Sequence, residues 1–390
     1  MRSSLVLIVA CVIGCSNTTP GSDAGIGADA GERDGRADAE TDAGADAGAL
    51  PDAEPLDLGT MTSSRTVVVL DRARIGSDSS QANFQHARGE LRFDDGPYAE
   101  AILHVSLEST CFPFSSWAQN PPPPGQNWPA DCDAFDRNFE IALDPRVMPS
   151  DPPELELVRS ITPFGGPLEY DVDITDVANG LPGAHRLDVL ISTYSDGAGQ
   201  VSGSNGGWNV SVAVRLTPGP APRNVLKIQP IFDLWHDSNT GVSTATVTTP
   251  EGTTEARIEY RATGHGGAPG DGQCIGPAEE FCRRTHGLFV DGVREEGFDA
   301  WRSDCANNCT VAHQGSGAQG FDYCLENPCG NMASVRAPRA NWCPGTITPP
   351  HVLSSLRAST PGSHRISYRI STVAPGGGWR ISATYFAYGD

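Results

Sequence analysis

From Arg65 onward, apolar and polar residues alternate with a period of two through most of the chain, a pattern that puts apolar side chains on one face of a strand. Phe139, Ile141 and Leu143 alternate around Glu140, and Tyr170, Val172 and Ile174 alternate with Asp171, Asp173 and Thr175. Trp208, Val210, Val212, Val214 and Leu216 do the same against Asn209, Ser211, Ala213 and Arg215. No segment of helical length there carries a comparable amphipathic period, and Gly, Pro, Asn and Asp clusters punctuate the runs at the spacing of sandwiches. The pattern predicts an antiparallel β-sandwich over 61–217. Three prolines between Thr217 and Arg223 remove backbone donors and mark a stiff connector. A second sandwich is expected over 224–390. It opens at Ile228 and Ile231, continues through Ala256, Ile258, Tyr260 and Ala262 and through Ile366, Tyr368 and Ile370, and closes with a strand from Trp379 to Asp390. Between about Gly264 and Pro350 the alternation gives way to a Cys- and Gly-rich excursion. A loop of that length inside a compact domain is usually functional, cross-linked or both.

The residues ahead of this head do not suit a core. Residues 1–15 read as a lipoprotein signal peptide: Arg2 is a short basic start, Leu5 to Ile13 is too short to span a bilayer, and Val12-Ile13-Gly14-Cys15 is a small-residue end. Cys15 is therefore expected to carry lipid, the alternative being an ordinary signal peptide cut nearby. Residues 16–60 form a near-repeat of Asp-Ala-Gly (Asp23-Ala24-Gly25, Asp29-Ala30-Gly31, Asp42-Ala43-Gly44), with almost no large apolar side chains. Such a stretch cannot bury enough surface to order itself and is expected to be a disordered, solvated acidic linker. It supplies much of the formal net charge of −21. No basic tract occurs, which disfavours nucleic acid as a partner. The expectation is an exported monomer, lipid-anchored in the cell envelope at the outer membrane or cell surface. In that setting the cysteines beyond Cys11 and Cys15 read first as disulfides, and their odd number leaves one over.

Candidate chemistry gathers at two places. Cys132-Asp133-Ala134-Phe135-Asp136-Arg137 leads into the strand at Phe139, and Cys111, at the end of the run through Leu103, Val105 and Leu107, is the natural disulfide partner of Cys132. Taken alone, Asp136 and Arg137 read as a turn residue and a surface ion pair rather than as catalysis. The second place is the loop that Cys274 and Cys282 would close, which contains Glu280, with Arg339, Trp342 and Cys343 downstream. It could equally be a stapled surface turn. His265 and His286 invite a metal reading, but no CxxC, HxH or HExxH spacing supports it, and no GxSxG elbow supports a serine nucleophile.

The joint order of these pieces is more specific than any one of them. Cys132 to Arg137, Ile161-Thr162-Pro163, Asp171 to Asp176, Gly264-His265, Glu280 to His286 and Arg339-Ala340-Asn341-Trp342-Cys343-Pro344-Gly345 together resemble the peptide:N-glycosidase F family, amidases that remove N-linked glycans from asparagine. The resemblance covers the head from about Arg65 and implies an all-β fold of two adjacent jelly-roll β-sandwich domains with the active site in the cleft between them. It implies Asp136 as the principal catalytic aspartate, Glu280 as a second catalytic carboxylate and Arg137 and Arg339 as substrate-orienting arginines. Trp342 would form part of the wall, Ser192, Tyr194 and His265 would line the substrate, and no metal or cofactor would be needed. It also implies the pairs Cys111–Cys132, Cys274–Cys282 and Cys305–Cys343, leaving Cys309, Cys324 and Cys329 unassigned. One departure matters: Ser192 stands where the family has a glutamate and Tyr194 where it has a tryptophan, with Asp196 in the next turn as a possible substitute. The expected activity is that of a peptide-N4-(N-acetyl-beta-glucosaminyl)asparagine amidase acting on N-glycosylated proteins or glycopeptides. The rival is a catalytically weakened glycan-binding surface lipoprotein with the same fold. A copper monooxygenase on a similar double jelly roll is disfavoured, because the histidines are scattered and only Met148 and Met332 lie within the alternating runs that begin at Arg65.

Overall fold

A computed structural model describes residues 63–390 apart from 95, 149–150, 196–200, 268–273 and 316–319. Cys15, the Asp-Ala-Gly segment and Asp196 lie outside the described residues. Thr60–Asp390 form one compact unit.

The first eight strands are β1 (Arg65–Gly76), β2 (His86–Phe93), β3 (Tyr98–Ser109), β4 (Asn138–Leu143), β5 (Leu155–Ile161), β6 (Leu168–Asp173), β7 (Gly183–Ile191) and β8 (Gly207–Pro218). They pair antiparallel as β1-β8-β3-β6 and, in a second sheet, β5-β4-β7-β2. The next strands are β9 (Asn224–Asp237), β10 (Thr244–Thr249), β11 (Glu255–Gly266), β12 (Arg284–Val290) and β13 (Val293–Ala300). After three short strands of the excursion, β14 (Val311–Gln314), β15 (Phe321–Cys324) and β16 (Thr346–Ile347), come β17 (His351–Ser354), β18 (Gly362–Ile370) and β19 (Gly377–Gly389). They pair as β9-β19-β11-β17 and β13-β12-β18-β10. With β14–β16 set aside and strands counted from the start of each half, both halves have the same order, first-eighth-third-sixth in one sheet and fifth-fourth-seventh-second in the other. That is the connectivity of an eight-stranded jelly roll.

The alternation supplies the cores. Leu103, Val105 and Leu107 of β3, Phe139, Ile141 and Leu143 of β4 and Val210, Val212 and Val214 of β8 meet in the first core. Ile258 and Tyr260 of β11, Ile366 and Tyr368 of β18 and Ile381, Ala383 and Tyr385 of β19 meet in the second. Each fully buried Val, Leu, Ile or Phe contributes roughly 1.5–3 kcal/mol.

The short connector between β8 and β9 does not make the halves independent. Phe386 and Tyr388 of β19 pack into the first core, and β16 extends the first half's sheet by pairing with β5, Thr346 opposite Ile161. Sheets β5-β4-β7-β2 and β9-β19-β11-β17 face each other across a polar seam. Arg159 of β5 holds Glu156 with Nε and Nη2 at 2.6 Å each. Its Nη1 reaches Thr263 Oγ1 at 3.1 Å and the carbonyl of Arg380 at 2.9 Å. Arg380 of β19 donates to Glu140 of β4 at 2.9 Å. The stretch expected to be a long loop, Gly264 to Pro350, is a correction: its described residues carry β12 and β13, two strands of the second jelly roll, besides β14–β16. It is stapled by Cys305–Cys343 and Cys309–Cys324, while Cys111–Cys132 and Cys274–Cys282 brace the two candidate places. Cys329 is the free cysteine among the described residues.

Candidate active site

Asp136 sits two residues before β4, and everything around it is fixed from the backbone. The Cys111–Cys132 bridge anchors the segment on one side. Thr162, after β5, clamps the other side: its hydroxyl accepts from the amide of Arg137 at 2.8 Å and donates to the carbonyl of Phe135 at 3.2 Å. Its amide donates to the carbonyl of Arg137 at 2.9 Å. The peptide units on both sides of Asp136 therefore belong to one rigid turn. Asp133 is wholly buried and accepts from the amide of Phe135 and from Arg137 Nε, at 2.9 Å to Oδ2. Arg137, 6% exposed, lies between Phe135, 5.0 Å from the ring centre, and Tyr194, 4.3 Å from its ring centre. Ser192 is half-buried just past β7, its amide bonded to the carbonyl of Asn138 at 3.0 Å. It therefore does stand beside the Asp136 turn.

Glu280 comes from the second half, in a short turn that Cys274–Cys282 closes. Its neighbour Glu279 is fully buried and accepts from Arg284 Nε and Nη2 at 2.8 and 2.9 Å, from Trp379 Nε1 at 2.9 Å and from the amide of Ala374 at 2.8 Å. Both its oxygens are thus engaged, so Glu279 is the anchor and Glu280 the carboxylate left for the cleft. The carbonyl of Glu280 accepts from the amide of Ala340 at 2.7 Å. Asn341 takes a left-handed conformation at φ 67°, which asparagine tolerates better than most residues, and its side chain donates to the carbonyl of Ala262 at 2.8 Å. That turn puts Arg339 under Glu280, with Nη1 3.1 Å from the carboxylate.

Arg339 is 1% exposed, stacked on Phe281 at 4.7 Å and Trp342 at 4.4 Å from the ring centres, and its Nη2 donates to Ser334. Trp342 is a correction to the sequence reading. At 1% exposure, with Nε1 donating to the carbonyl of Gly264 at 2.9 Å, it offers no open face to a sugar and instead supports Arg339 from below. His265 stacks on Trp342, ring centres 5.5 Å apart, with Nε2 2.9 Å from Thr263 Oγ1. Burial and the Arg159 charge hold His265 down at about 3, so it is neutral. His286 lies apart, in the second core, with Nδ1 2.9 Å from the Tyr260 hydroxyl.

The seam brings Asp136 of one half to Glu280 and Arg339 of the other. Burial raises Asp136 to about 7; Arg339 and Arg137 oppose the rise and the Glu280 charge adds to it. Burial also raises Glu280, opposed by Arg339. Asp136 thus faces both a guanidinium that favours its charge and a second carboxylate whose charge disfavours it. A half-ionised carboxyl at pH 7, fixed in position beside a second carboxyl and a guanidinium, is suited to general-base chemistry.

Sequence reading placed Asp136, Glu280, Arg339, Ser192 and Tyr194 near one another, and the fold gathers them along one seam. It missed the roles of Glu279 and Thr162, which lie in bonds to distant segments; outside the site, Trp235 stacks on His265 with ring centres 6.0 Å apart.

The comparisons with known proteins fit this fold. No curated protein matches the chain in sequence. In structure it is similar to PNGF-II, at 20% identity and a TM-score of 0.62 over 83% of this chain, and spans 65% of the length of that protein. It is also similar to PNGase F, a glycosylasparaginase from Flavobacterium meningosepticum, at 17% identity and a TM-score of 0.60 over 84% of this chain and 96% of the other. A further likeness is to a peptide-N(4)-(N-acetyl-beta-D-glucosaminyl) asparagine amidase, at 18% identity and a TM-score of 0.58 with the same coverage. Residues 236–385 match the family described as peptide-N-glycosidase F, C terminal. The second half thus matches the C-terminal domain of that family, and the double jelly roll over both halves is the fold it shares with PNGase F.

Proposed function

We propose that the protein hydrolyses the side-chain amide of glycosylated asparagine in N-glycoproteins or glycopeptides, releasing the glycan. The observation that carries this reading is the convergence of Asp136, raised to about 7, with the Glu280–Arg339 pair across the seam. Asp136 takes a proton from a water as that water attacks the amide carbon, and Arg339 offsets the negative charge that builds up there. When the carbon–nitrogen bond breaks, the proton passes to the leaving glycosylamine, and the asparagine becomes aspartate. Glu280, held by Arg339, positions the water or the first sugar.

Ser192 supports a second reading. It has no carboxylate to offer beside Asn138, so a glycan-binding protein that turns over slowly, or not at all, would keep this fold. A gel-shift and mass-spectrometric assay on a denatured N-glycoprotein separates the two, with Asp136→Asn as control. Release of glycan by the wild type alone supports the amidase. No release by folded, oxidised protein, with glycan affinity indifferent to Asp136→Asn, favours the binding protein. Four disulfides suit an oxidising compartment. With the signal-like start ending at Cys15 and the acidic stretch after it, this supports an exported protein lipid-anchored in the cell envelope.

A further inference from the structure

The aromatic stack at the site does not end inside the protein. Trp342 carries His265, and His265 carries Trp235 at 6.0 Å and 23° between ring planes. Trp235 is 47% exposed, so the last ring of the stack reaches solvent. Its position is built in: it lies on β9 opposite Arg380 of β19, and the missing side chain of Gly378 makes room for it, since a Cβ there would come within 2.3 Å of the indole nitrogen. Trp235 flanks, without lining it, a groove of about 320 Å³ that is lined from both halves and reaches the indole through Asp233, two residues along β9, and Arg380, its cross-strand partner. Arg380 is its centre, paired with Glu140 and Asp233 and 3.7 Å from Glu154. Across from it Asp188 pairs with Arg88 at 2.7 Å. Burial and the neighbouring Asp233 charge raise Glu154 to about 7, so near neutral pH it can donate as well as accept. The mechanism uses none of these residues.

A solvent-exposed indole beside alternating carboxylates and guanidinium groups matches a pyranose, which has an apolar underside and a rim of hydroxyls that donate and accept. The volume is near the small end of ligand sites and suits one or two rings. We propose that this groove is a distal oligosaccharide subsite, with Trp235 as its stacking platform and Glu154, Asp233 and Arg380 as its hydroxyl-binding groups, holding sugars beyond the one attached to asparagine. The inference rests on the amidase reading of the neighbouring site and names the part of the substrate that site leaves uncontacted.

The test compares two glycopeptides, one with a disaccharide and one with a branched oligosaccharide. Trp235→Ala is expected to raise KM for the branched substrate about tenfold, the scale of one lost aromatic stack, and to leave the disaccharide substrate and both kcat values unchanged. Trp235→Tyr should recover most of the loss. An unchanged KM on the branched substrate, or equal losses on both, overturns the subsite while leaving the amidase intact. A second arm does not depend on turnover. Asp136→Asn protein is titrated calorimetrically with the free branched oligosaccharide, with and without Trp235→Ala. Binding weakened by Trp235→Ala supports the subsite; binding indifferent to it, or no binding, overturns it. If the wild type cleaves neither glycopeptide, the amidase reading fails and this titration alone decides the subsite.

Discussion

Asp136→Asn should make the protein more stable as well as inactive, and the gain should depend on pH. The folded state raises Asp136 from 3.8 to about 7. Below about pH 4 the residue is protonated in both folded and unfolded chains, and its ionisation has no effect on stability. Between about 4 and 7 the unfolded chain ionises while the folded one resists, so wild-type stability falls as pH rises. Above about 7 both are ionised and the loss is constant. A gap of roughly 3 pK units at 1.36 kcal/mol each gives a ceiling of about 4 kcal/mol. Asp136 is half-buried, and solvent screening brings this to about 2 kcal/mol. Asparagine fills the same space without the charge, and neither arginine is left alone: Arg137 keeps Asp133 and Arg339 keeps Glu280. Urea unfolding of both proteins at pH 4 and pH 8 reads the difference, with equal m-values as the check that the unfolded states are comparable. The variant should match the wild type at pH 4 and exceed it by about 2 kcal/mol at pH 8. A variant no more stable at pH 8, or one with the same gain at both pH values, would refute the claim that the fold holds Asp136 against ionisation.

Adjacent glutamates should separate cleanly. Glu279→Ala removes the carboxylate paired with the buried Arg284 and should lower stability by about 3–5 kcal/mol, whereas Glu280→Gln should abolish turnover with a stability change within about 1 kcal/mol. Steady-state kinetics on a glycopeptide should show kcat/KM falling about tenfold per pH unit below about pH 7, because the base must be ionised; a flat acid limb down to pH 5 would exclude Asp136 as that base. Replacing Cys309 and Cys324 by serine opens a loop spanning 15 residues and should lower stability by about 3 kcal/mol without changing the Asp136 environment, seen as an unaltered pH–rate profile.

The strands were legible because each carries its own period: Phe139 to Leu143 and Trp208 to Leu216 alternate in sequence as they do in the sheets. Which strand pairs with which was not, since β3 lies between β6 and β8 through contacts far apart in the chain that leave no local pattern. The same distinction governs the site. Asp136 and Glu280 were visible through the disulfide-bounded motifs around them. That Glu279 rather than Glu280 turns inward depends on Arg284, Trp379 and Ala374, and neither residue's position in the motif distinguishes them. Trp342 looked like a sugar-facing ring and is instead buried, because the left-handed turn at Asn341 folds it under Arg339. Trp235 carried no motif at all; only its register opposite Arg380 and the room left by Gly378 bring it to the seam.

The most direct test of the central claim is hydrolysis of an N-glycopeptide in heavy-oxygen water, with the peptide and glycan products weighed separately and Asp136→Asn as control. Cleavage of the asparagine amide predicts one heavy oxygen in a new aspartate, an intact glycan released as its glycosylamine, and neither product from the variant. Label in the sugar with asparagine retained, or release that survives Asp136→Asn, would contradict it.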